Sequence, residues 1–550
     1  MPPRIRPAFT FGGEIAESDP LLADAFLDNG GYSAALARDD PRRFVIGRTG
    51  SGKSAIFEKL SQTEPKRVVR ISPDNLSLTY IANLDVVQKL RALGVHLDIF
   101  FVALWKHVVI VELLKHRYQL YTPEMKDNVL HGLLERFKHQ PSKRKAVQYV
   151  HEFGDKFWCD TDERVRQVAE SLDQRLKASG QVGSDWYGAK AGAEIESQQH
   201  SELRREEAAR YQTVVNSIQL PRLNEMVQIL GEEILDTPAH YTYLIIDDLD
   251  KDWADDETEK LIVRCLLQTV LDLQRIRNLK VLIALRTNVF FQLSYSRLSW
   301  GQQREKFRAL ALDIEWTRND LERMLENRAQ AASRRARMHP ARPLSGLLPT
   351  GRQNDETPLT YVFERTLLRP RDAIAYMNLA IKHSIGKERI SWEILSTVEP
   401  EYSQGRLSAL QEEWTDPYAG LQLVFAQFRG SRSRLTRKQI TSIFESIALL
   451  MIDSKFPGTV WVTEACRNLW EPKGSLTWFE TNIELLRILY NIGFLGCARR
   501  PSDGLTYYFD DALFGSYPDN FPEDSEFGVH PAFRPALEIG EKTLRRRRSR

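Results

Sequence analysis

The feature that most constrains this chain is the run RRFVIGRTGSGKSAIFEKL at residues 42–60. Phe44, Val45 and Ile46 read as the end of a buried strand, and AIFEKL reads as an amphipathic helix. Between them, Gly47–Ser54 fit G-x-x-x-x-G-K-[ST] without a mismatch. Gly47, Gly50 and Gly52 permit backbone geometry that turns N–H groups inward around a phosphate. A helix beginning near Lys53 offers its positive end to the anion. Lys53 is expected to reach the β- and γ-phosphates, and the Ser54 hydroxyl to ligate Mg²⁺. The expected nucleotide-binding set is Gly47, Arg48, Thr49, Gly50, Ser51, Gly52, Lys53, Ser54 and Ala55, with ATP and Mg²⁺ as ligands. The bland alternative, a chance match in a glycine-rich turn, would lack the flanking strand and helix.

Such a loop needs a second acid for the metal. YTYLIIDDLDKDW, residues 241–253, supplies an apolar β-rich run that ends in Asp247 and Asp248. In a parallel sheet the carboxyl ends of strands face the ligand crevice. Asp247 is therefore expected to hold Mg²⁺, directly or through water. Asp248 is expected to polarise the attacking water, which argues for hydrolysis. Asp250 and Asp252 remain open between a role in the site and a solvated loop. KRVVRIS (66–72) and LKVLIALRTNVF (279–290) read as further strands, the second ending in Arg286, Thr287 and Asn288. Asn288 is the candidate for a strand-tip contact to the γ-phosphate or water, against a strand that simply ends in polar residues. The fold class expected is α/β: a P-loop core with a parallel sheet flanked by helices, a large helical insertion, a helical lid and a C-terminal winged-helix-like domain.

At 550 residues the chain exceeds one compact core. The boundaries expected are a lead-in over 1–40, the core over 41–300 with the insertion at about 75–235, the lid over 301–400, the winged-helix-like domain over 401–540 and a basic tail over 541–550. The formal net charge of +2 gives no whole-molecule attraction to nucleic acid, so such a surface would be a local patch. The four cysteines, Cys159, Cys265, Cys466 and Cys497, are far apart and form no CxxC, which fits a reducing cytoplasm. The start lacks an apolar h-region and carries acids early. LDIFFVALWKHVVIVELLKHRY (97–118) is interrupted by Lys106 and His107, short of the roughly 20 apolar residues of a span. It reads as a buried helix, and no membrane partner is expected.

In TPLTYVFERTLLRPRDAIAYMNLAIKHS (357–384), Pro370 sits where helices like to start and Asp372 suits a helix N-terminus. In a lid, Arg371 or Arg369 would reach back to the nucleotide; Arg371 is the preferred candidate, and exposed arginines at a turn are the alternative. Further on, SLTWFETNIELLRILYNIGFLGCARRPSDGLTYYFD reads as a helix and then a hairpin turning at Asp503 and Gly504, with Arg499 and Arg500 on a wing. Packing is the favoured role and DNA binding the other. The tail EKTLRRRRSR carries five arginines in its last six residues. It is either a phosphate-binding or a solubilising tail.

FGGEIAESDPLLADAFLD, VIGRTGSGKSAI, LIIDDLDKDW, IEWTRNDLERMLENR, RPRDAIAYMNLAI and EYSQGRLSALQEEW run in order along the chain. In these stretches it resembles a bacterial P-loop ATPase family, known from cyanobacterial and other genomes and related to the KAP and STAND branches of AAA+-like ATPases. The resemblance implies a sensor role for Asn288. It also implies a nucleotide-driven switch or sensor of the kind found in anti-phage and signalling gene neighbourhoods, a homo-oligomer, and an effector partner. No repeat array or separate effector domain is visible, which weakens an autonomous sensor-effector. Two functions therefore stand: a regulatory ATPase, and a DNA-remodelling or DNA-loading ATPase using the winged helix and tail. A small-molecule kinase is weaker, since no second substrate pocket is recognisable.

Overall fold

The three apolar residues before the glycine run, with Gly47, form strand β1 (Phe44–Gly47), every residue of which up to Ile46 is buried. Helix α1 (Gly31–Leu36) precedes it. In the computed structural model, which describes residues 4–71, 97–120, 123–153, 220–247, 249, 256–290, 304–338, 341–353, 355–470 and 476–540, β1 belongs to a five-stranded parallel sheet. Its other members are β2 (Val68–Ile71), β3 (Thr242–Ile246), β4 (Leu279–Arg286) and β5 (Ala311–Asp313), in the order β2-β3-β4-β1-β5. The register sets Ile71 beside Ile246, Ile246 beside Ile283, and Ile46 beside Asp313. The amide of Ile283 donates to Arg43 O at 2.9 Å and ties β4 to β1. All four sequence-expected strands are present. Near-continuous apolar runs such as TYLII and LKVLIAL are what a sheet covered on both faces requires.

Helix α2 (Lys53–Thr63) follows the turn after β1, and the apolar core of the sheet is shared by α3 (Asp98–Tyr118), α4 (Pro141–Phe153), α5 (Leu220–Ile229) and α6 (Asp256–Leu273). Helix α3 is the membrane-like segment of the sequence. It is buried on nearly all sides, which explains its all-round apolar character. Its interrupting residues are satisfied inside the protein. Lys106 Nζ lies 2.7 Å from Asp272 and 3.2 Å from Asn224 Oδ1, and the His107 ring meets the Tyr149 hydroxyl at 2.6 Å. Asp98 in the first turn, with Lys115, His116 and Arg117 in the last, match the helix dipole. Among the described residues no helix is long and apolar enough to cross a membrane.

The described residues divide into two compact units. The sheet unit comprises 31–46 and 60–313. The other comprises residues up to 30, 47–59 and 314 onward. In the second unit one apolar core gathers Phe9 and Phe11 with α7 (Arg318–Arg335), α8 (Pro370–Lys382) and the first half of α9 (Trp392–Glu413). A second core joins the end of α9 to α10 (Arg437–Leu449), α11 (Trp478–Asn491) and a three-stranded antiparallel sheet. Its strands β6 (Leu435–Thr436), β7 (Leu495–Ala498) and β8 (Glu526–Val529) lie in the order β6-β8-β7. Thr317, Thr436 and Thr477 each close a capping box, with Asp320, Gln439 and Glu480, which fixes where α7, α10 and α11 begin.

The expected C-terminal hairpin differs in detail. After β7 the chain makes a single bridge, Cys497 to Thr506, and the full ladder partner of β7 is β8. The Asp510 carboxylate accepts the Tyr507 amide at 3.1 Å, which turns the chain away before LTYYFD can extend the pairing. Cys265, Cys466 and Cys497 are buried free thiols; Cys159, the stretch between 154 and 219, and the basic tail lie outside the described residues.

Candidate functional site

The turn after β1 adopts a conformation only its sequence allows. Gly50 and Gly52 have φ of +80° and +98°, where other residues are strained. A Cβ at Gly47 would collide with Ser51 Oγ, and one at Gly50 would lie 2.7 Å from the Cβ of Arg371. The first α-helical bond of α2 runs from Ile56 N to Gly52 O at 3.0 Å, so the helix opens at Lys53 as its spacing predicts. The positive end of α2, with the backbones of Lys53, Ser54 and Ala55, therefore lies at the loop. Lys53 Nζ folds over the loop onto the carbonyls of Gly47 at 2.7 Å and Arg48 at 3.1 Å. Ser51 Oγ is buried with no hydrogen-bond partner among the described residues. Twinned positive-φ glycines, a buried hydroxyl and a lysine laid across the turn fit a phosphate group. The half-buried Ser54 hydroxyl is a hard oxygen donor of the kind Mg²⁺ takes.

What surrounds the loop is a buried ionic cluster. The Glu413 side chain, 4% exposed, accepts from the Thr49 amide at 3.4 Å and lies 3.6 Å from Arg48 Nε and 3.0 Å from Arg369 Nη1. Arg369 Nη1 also donates to Thr49 O at 3.0 Å, and its Nε to Asp372 at 3.0 Å. Asp372 in turn accepts from the Leu367 amide and from Arg406, which reaches Glu14. Burial alone would raise the pKa of Asp372, but Arg369 and Arg406 outweigh it and hold the carboxyl at about 2. Burial likewise works against the charge on Glu413, and Arg48 and Arg369 prevail, so its pKa is lowered. The same carboxylates keep Arg369 charged against its own burial, and its pKa is raised.

The two RPRD arginines thus have different positions. Pro370 is the first residue of α8, as its spacing predicts, after Leu368 at a strained φ of +50°. Arg369 is consumed by the cluster. Arg371 is half-buried, its amide 3.4 Å from Gly50 O, and its Nε donates to Glu14 O at 3.4 Å. Burial lowers its pKa, with Arg369 adding to the effect. Of the two, Arg371 is the arginine laid against the glycine turn with no carboxylate among the described residues bonded to its guanidinium. Trp316 closes another side, its Nε1 donating to Ser51 O at 2.8 Å.

In the sheet unit, the half-buried Asp247 follows β3 directly. Asn288, 6% exposed, lies two residues past β4 in a helical turn at 287–290. Since β4 lies between β1 and β3, Asn288 rises from the carboxyl edge between the ends of those two strands. Asp248, Asp250 and Asp252 lie outside the described residues. Among the described residues no group of three or more His, Cys, Asp or Glu could hold a metal ion.

Sequence reasoning missed Glu413, Arg406, Glu14 and Trp316 as neighbours of the loop or its arginines. No local spacing links them. The only signal was that FGGE, IEWT and GRLSALQEEW lie within the stretches that carry the family resemblance. On the expected wing, Arg499 bonds to Asn520 and lies over the Phe514 ring, while Arg500 is exposed. Arg434 pins the turn by donating to Pro501 O at 3.0 Å and Asp503 O at 2.6 Å.

Comparison with known proteins bears on the same region. The FunZ-associated C-terminal helical domain matches residues 319–411, a span that holds α8 with Arg369 and Arg371 and most of α7 and α9. Along 97% of its length the chain is also similar, at 21% identity, to an 80.3 kDa protein named for transposon gamma-delta, from Escherichia coli (strain K12), of which it covers 68%.

Proposed function

We propose that this chain is a P-loop ATPase that binds and hydrolyses ATP with Mg²⁺ and acts as a nucleotide-dependent switch. The observation that carries the reading is the turn at 47–54, with its two positive-φ glycines, lysine and helix start, on a strand one place removed from the strand that ends in Asp247. Lys53 and the amides at the start of α2 bind the phosphates; Ser54 and Asp247 would hold the metal, which when bound would supply positive charge beside the phosphoryl oxygens. Asp248 takes a proton from a water, whose oxygen bonds the γ-phosphorus as the bond to the β–γ bridging oxygen breaks, leaving ADP and phosphate. Asn288 orients the water or γ-phosphate, and Arg371 stabilises charge on the phosphoryl oxygens. In this reading α7, α8 and α9 form the lid, the chain is related to the KAP- and STAND-like ATPases, and it self-associates and signals to a partner effector in phage defence.

The test is Lys53→Ala. ATP affinity measured by calorimetry and phosphate release should both collapse, by about 10²-fold or more. Unchanged ATP binding would remove the P-loop assignment.

A second reading, a DNA-handling ATPase, draws support from the relative named for a transposon and from the exposed Arg500 beside β7. Replacing Arg499 and Arg500 with glutamate, and separately deleting residues 544–550, discriminates the two. DNA binding through these arginines predicts a salt slope flatter by about one unit per lost phosphate contact. A packing role predicts weak DNA binding throughout and a changed assembly size for the arginine variant alone.

A further inference from the structure

The ionic cluster behind the glycine loop engages it at two specific residues. Arg48 and Thr49 occupy the first two variable places of the motif. In a minimal glycine loop these are spacers. Here Thr49 is gripped by both main-chain groups, its amide on Glu413 and its carbonyl on Arg369. The side chain of Arg48 runs away from the turn, between Glu413 at 3.6 Å and the carbonyl of Ile492 at 2.7 Å. Ile492 is the residue that caps α11, so Arg48 places a cation at the negative end of that helix. Gly493 follows at φ +80°, and a Cβ there would come within 2.8 Å of Arg48 Nη1. The backbone at 493 is thus shaped to admit this arginine.

Glu413 is the shared member. It is the last residue of α9, it carries the only carboxylate within ion-pair reach of Arg48 among the described residues, and it also meets Arg369. Without it, two buried guanidiniums would face each other beside Thr49, a repulsive arrangement that burial makes worse.

We propose that Glu413 is the positioning residue of the nucleotide loop, fixing Arg48 and Thr49 so that the loop is preformed and tied to α8, α9 and the end of α11. This rests on the P-loop reading for its effect on ATP, and stands independently of it for its effect on the loop. Preforming a binding loop serves the ground state and the transition state alike. Its loss therefore appears in KM, in contrast to Arg371, whose loss appears in kcat.

The experiment is Glu413→Gln, which keeps volume and an acceptor while removing the charge. Hydrogen exchange of peptides covering 47–54 is followed in nucleotide-free protein, and ATPase kinetics are measured beside it. The expected result is exchange at 47–54 faster by about tenfold or more, KM for ATP raised by a similar factor, and kcat within about threefold of wild type. Glu413→Asp, which restores the charge one methylene short, should recover part of both effects. If Glu413→Gln does not fold, Arg48→Met leaves the Arg369–Glu413 pair intact and is read the same way. Exchange at the wild-type rate in a folded variant overturns the proposal, as does a fall in kcat with KM unchanged. Should wild-type protein fail to bind ATP, the P-loop reading falls, and the exchange measurement alone still decides whether Glu413 holds the loop.

Discussion

The sheet unit and the unit built around α7–α9 bury charge in opposite ways. In the sheet unit, Lys280 lies inside the structure with its ammonium on the carbonyls of Ala34 at 2.7 Å and Ala37 at 2.5 Å. Burial pulls its pKa down to about 8. It closes the carboxyl end of α1 and contacts nothing that turns over. Most of that unit is apolar packing, with Phe101, Leu104, Trp105 and Val109 of α3 in its core. In the other unit the buried charges are chained, Arg48 to Glu413 to Arg369 to Asp372 to Arg406, and the chain begins at the glycine loop. Apolar burial gives stability at about 25 cal/mol per Å² but sets no direction. Ion pairs taken out of water return little net stability and demand geometry. Placing the costly interaction where a loop must hold one position is consistent with specificity being what it supplies.

The strongest way to break this contrast is to make lesions of equal size in the two units. Arg369→Ala removes the guanidinium that Glu413 and Asp372 share and leaves each buried carboxylate one ion-pair partner short, with Arg48 and Arg406 remaining, a loss of about 3 kcal/mol. Phe101→Ala in the sheet unit costs about the same by leaving a cavity. Chemical unfolding should report similar losses for the two variants. Only Arg369→Ala is expected to quicken hydrogen exchange at Thr49 and its neighbours, and equal loop protection in both would dissolve the distinction.

Next in size is the carboxylate proposed to polarise the water. Asp248→Asn keeps shape but cannot polarise water as a carboxylate does. Hydrolysis should fall by about 10²-fold, the scale of a lost general base, while ATP still binds. Hydrolysis at the wild-type rate would hand the role to another acid, Asp250 first.

Arg371→Ala sharpens the comparison within one turn of helix. Among the described residues its guanidinium pairs with no carboxylate, unlike that of Arg369, so its loss should leave the midpoint of unfolding nearly unchanged. Turnover should drop by about tenfold with ATP affinity little altered. Equal turnover in mutant and wild type would take Arg371 out of the site.

The smallest effect is one of pH. Burial, with Lys115 adding to it, holds the folded pKa of His107 at about 3, against about 6.5 when unfolded. Between those values the unfolded chain binds the proton and the folded chain does not, so stability falls as pH drops below about 6.5. Asp372 acts lower. Its folded pKa of about 2 gives stability that is present above the unfolded value of about 3.9 and is lost as pH falls toward 2. His107→Phe should therefore flatten the stability profile between about pH 4 and 6.5 by roughly 1.4 kcal/mol per pH unit. An unchanged slope, by urea unfolding across that range, would show that other groups carry it. His530, also held neutral by burial in the other unit, is the first such group.

Much of this was legible in the chain. The strands at 44–47, 68–71, 242–246 and 279–286 follow from short apolar β-rich runs, and α3 from a long run broken by polar residues too deep for a membrane span. Pro370 at the first position of α8 was readable from local stereochemistry. The glycine turn was the clearest of all, because its positive φ values exclude other residues. These are local properties: a dihedral preference, a period, a charge at a helix end. What tertiary structure alone decided is who stands behind the loop. Glu413 lies 44 residues from Arg369 and 364 from Thr49 along the chain, and no spacing rule reaches so far. Likewise RPRD offered two candidate arginines with Arg371 preferred, and only the packing of α9 against α8 spent Arg369 on carboxylates and left Arg371 at the turn. Sequence sets which groups can bind a phosphate, since that depends on each residue's own chemistry. Which cations are already neutralised depends on partners brought together by folding, and that is settled by burial, where an unpaired charge is too costly to keep.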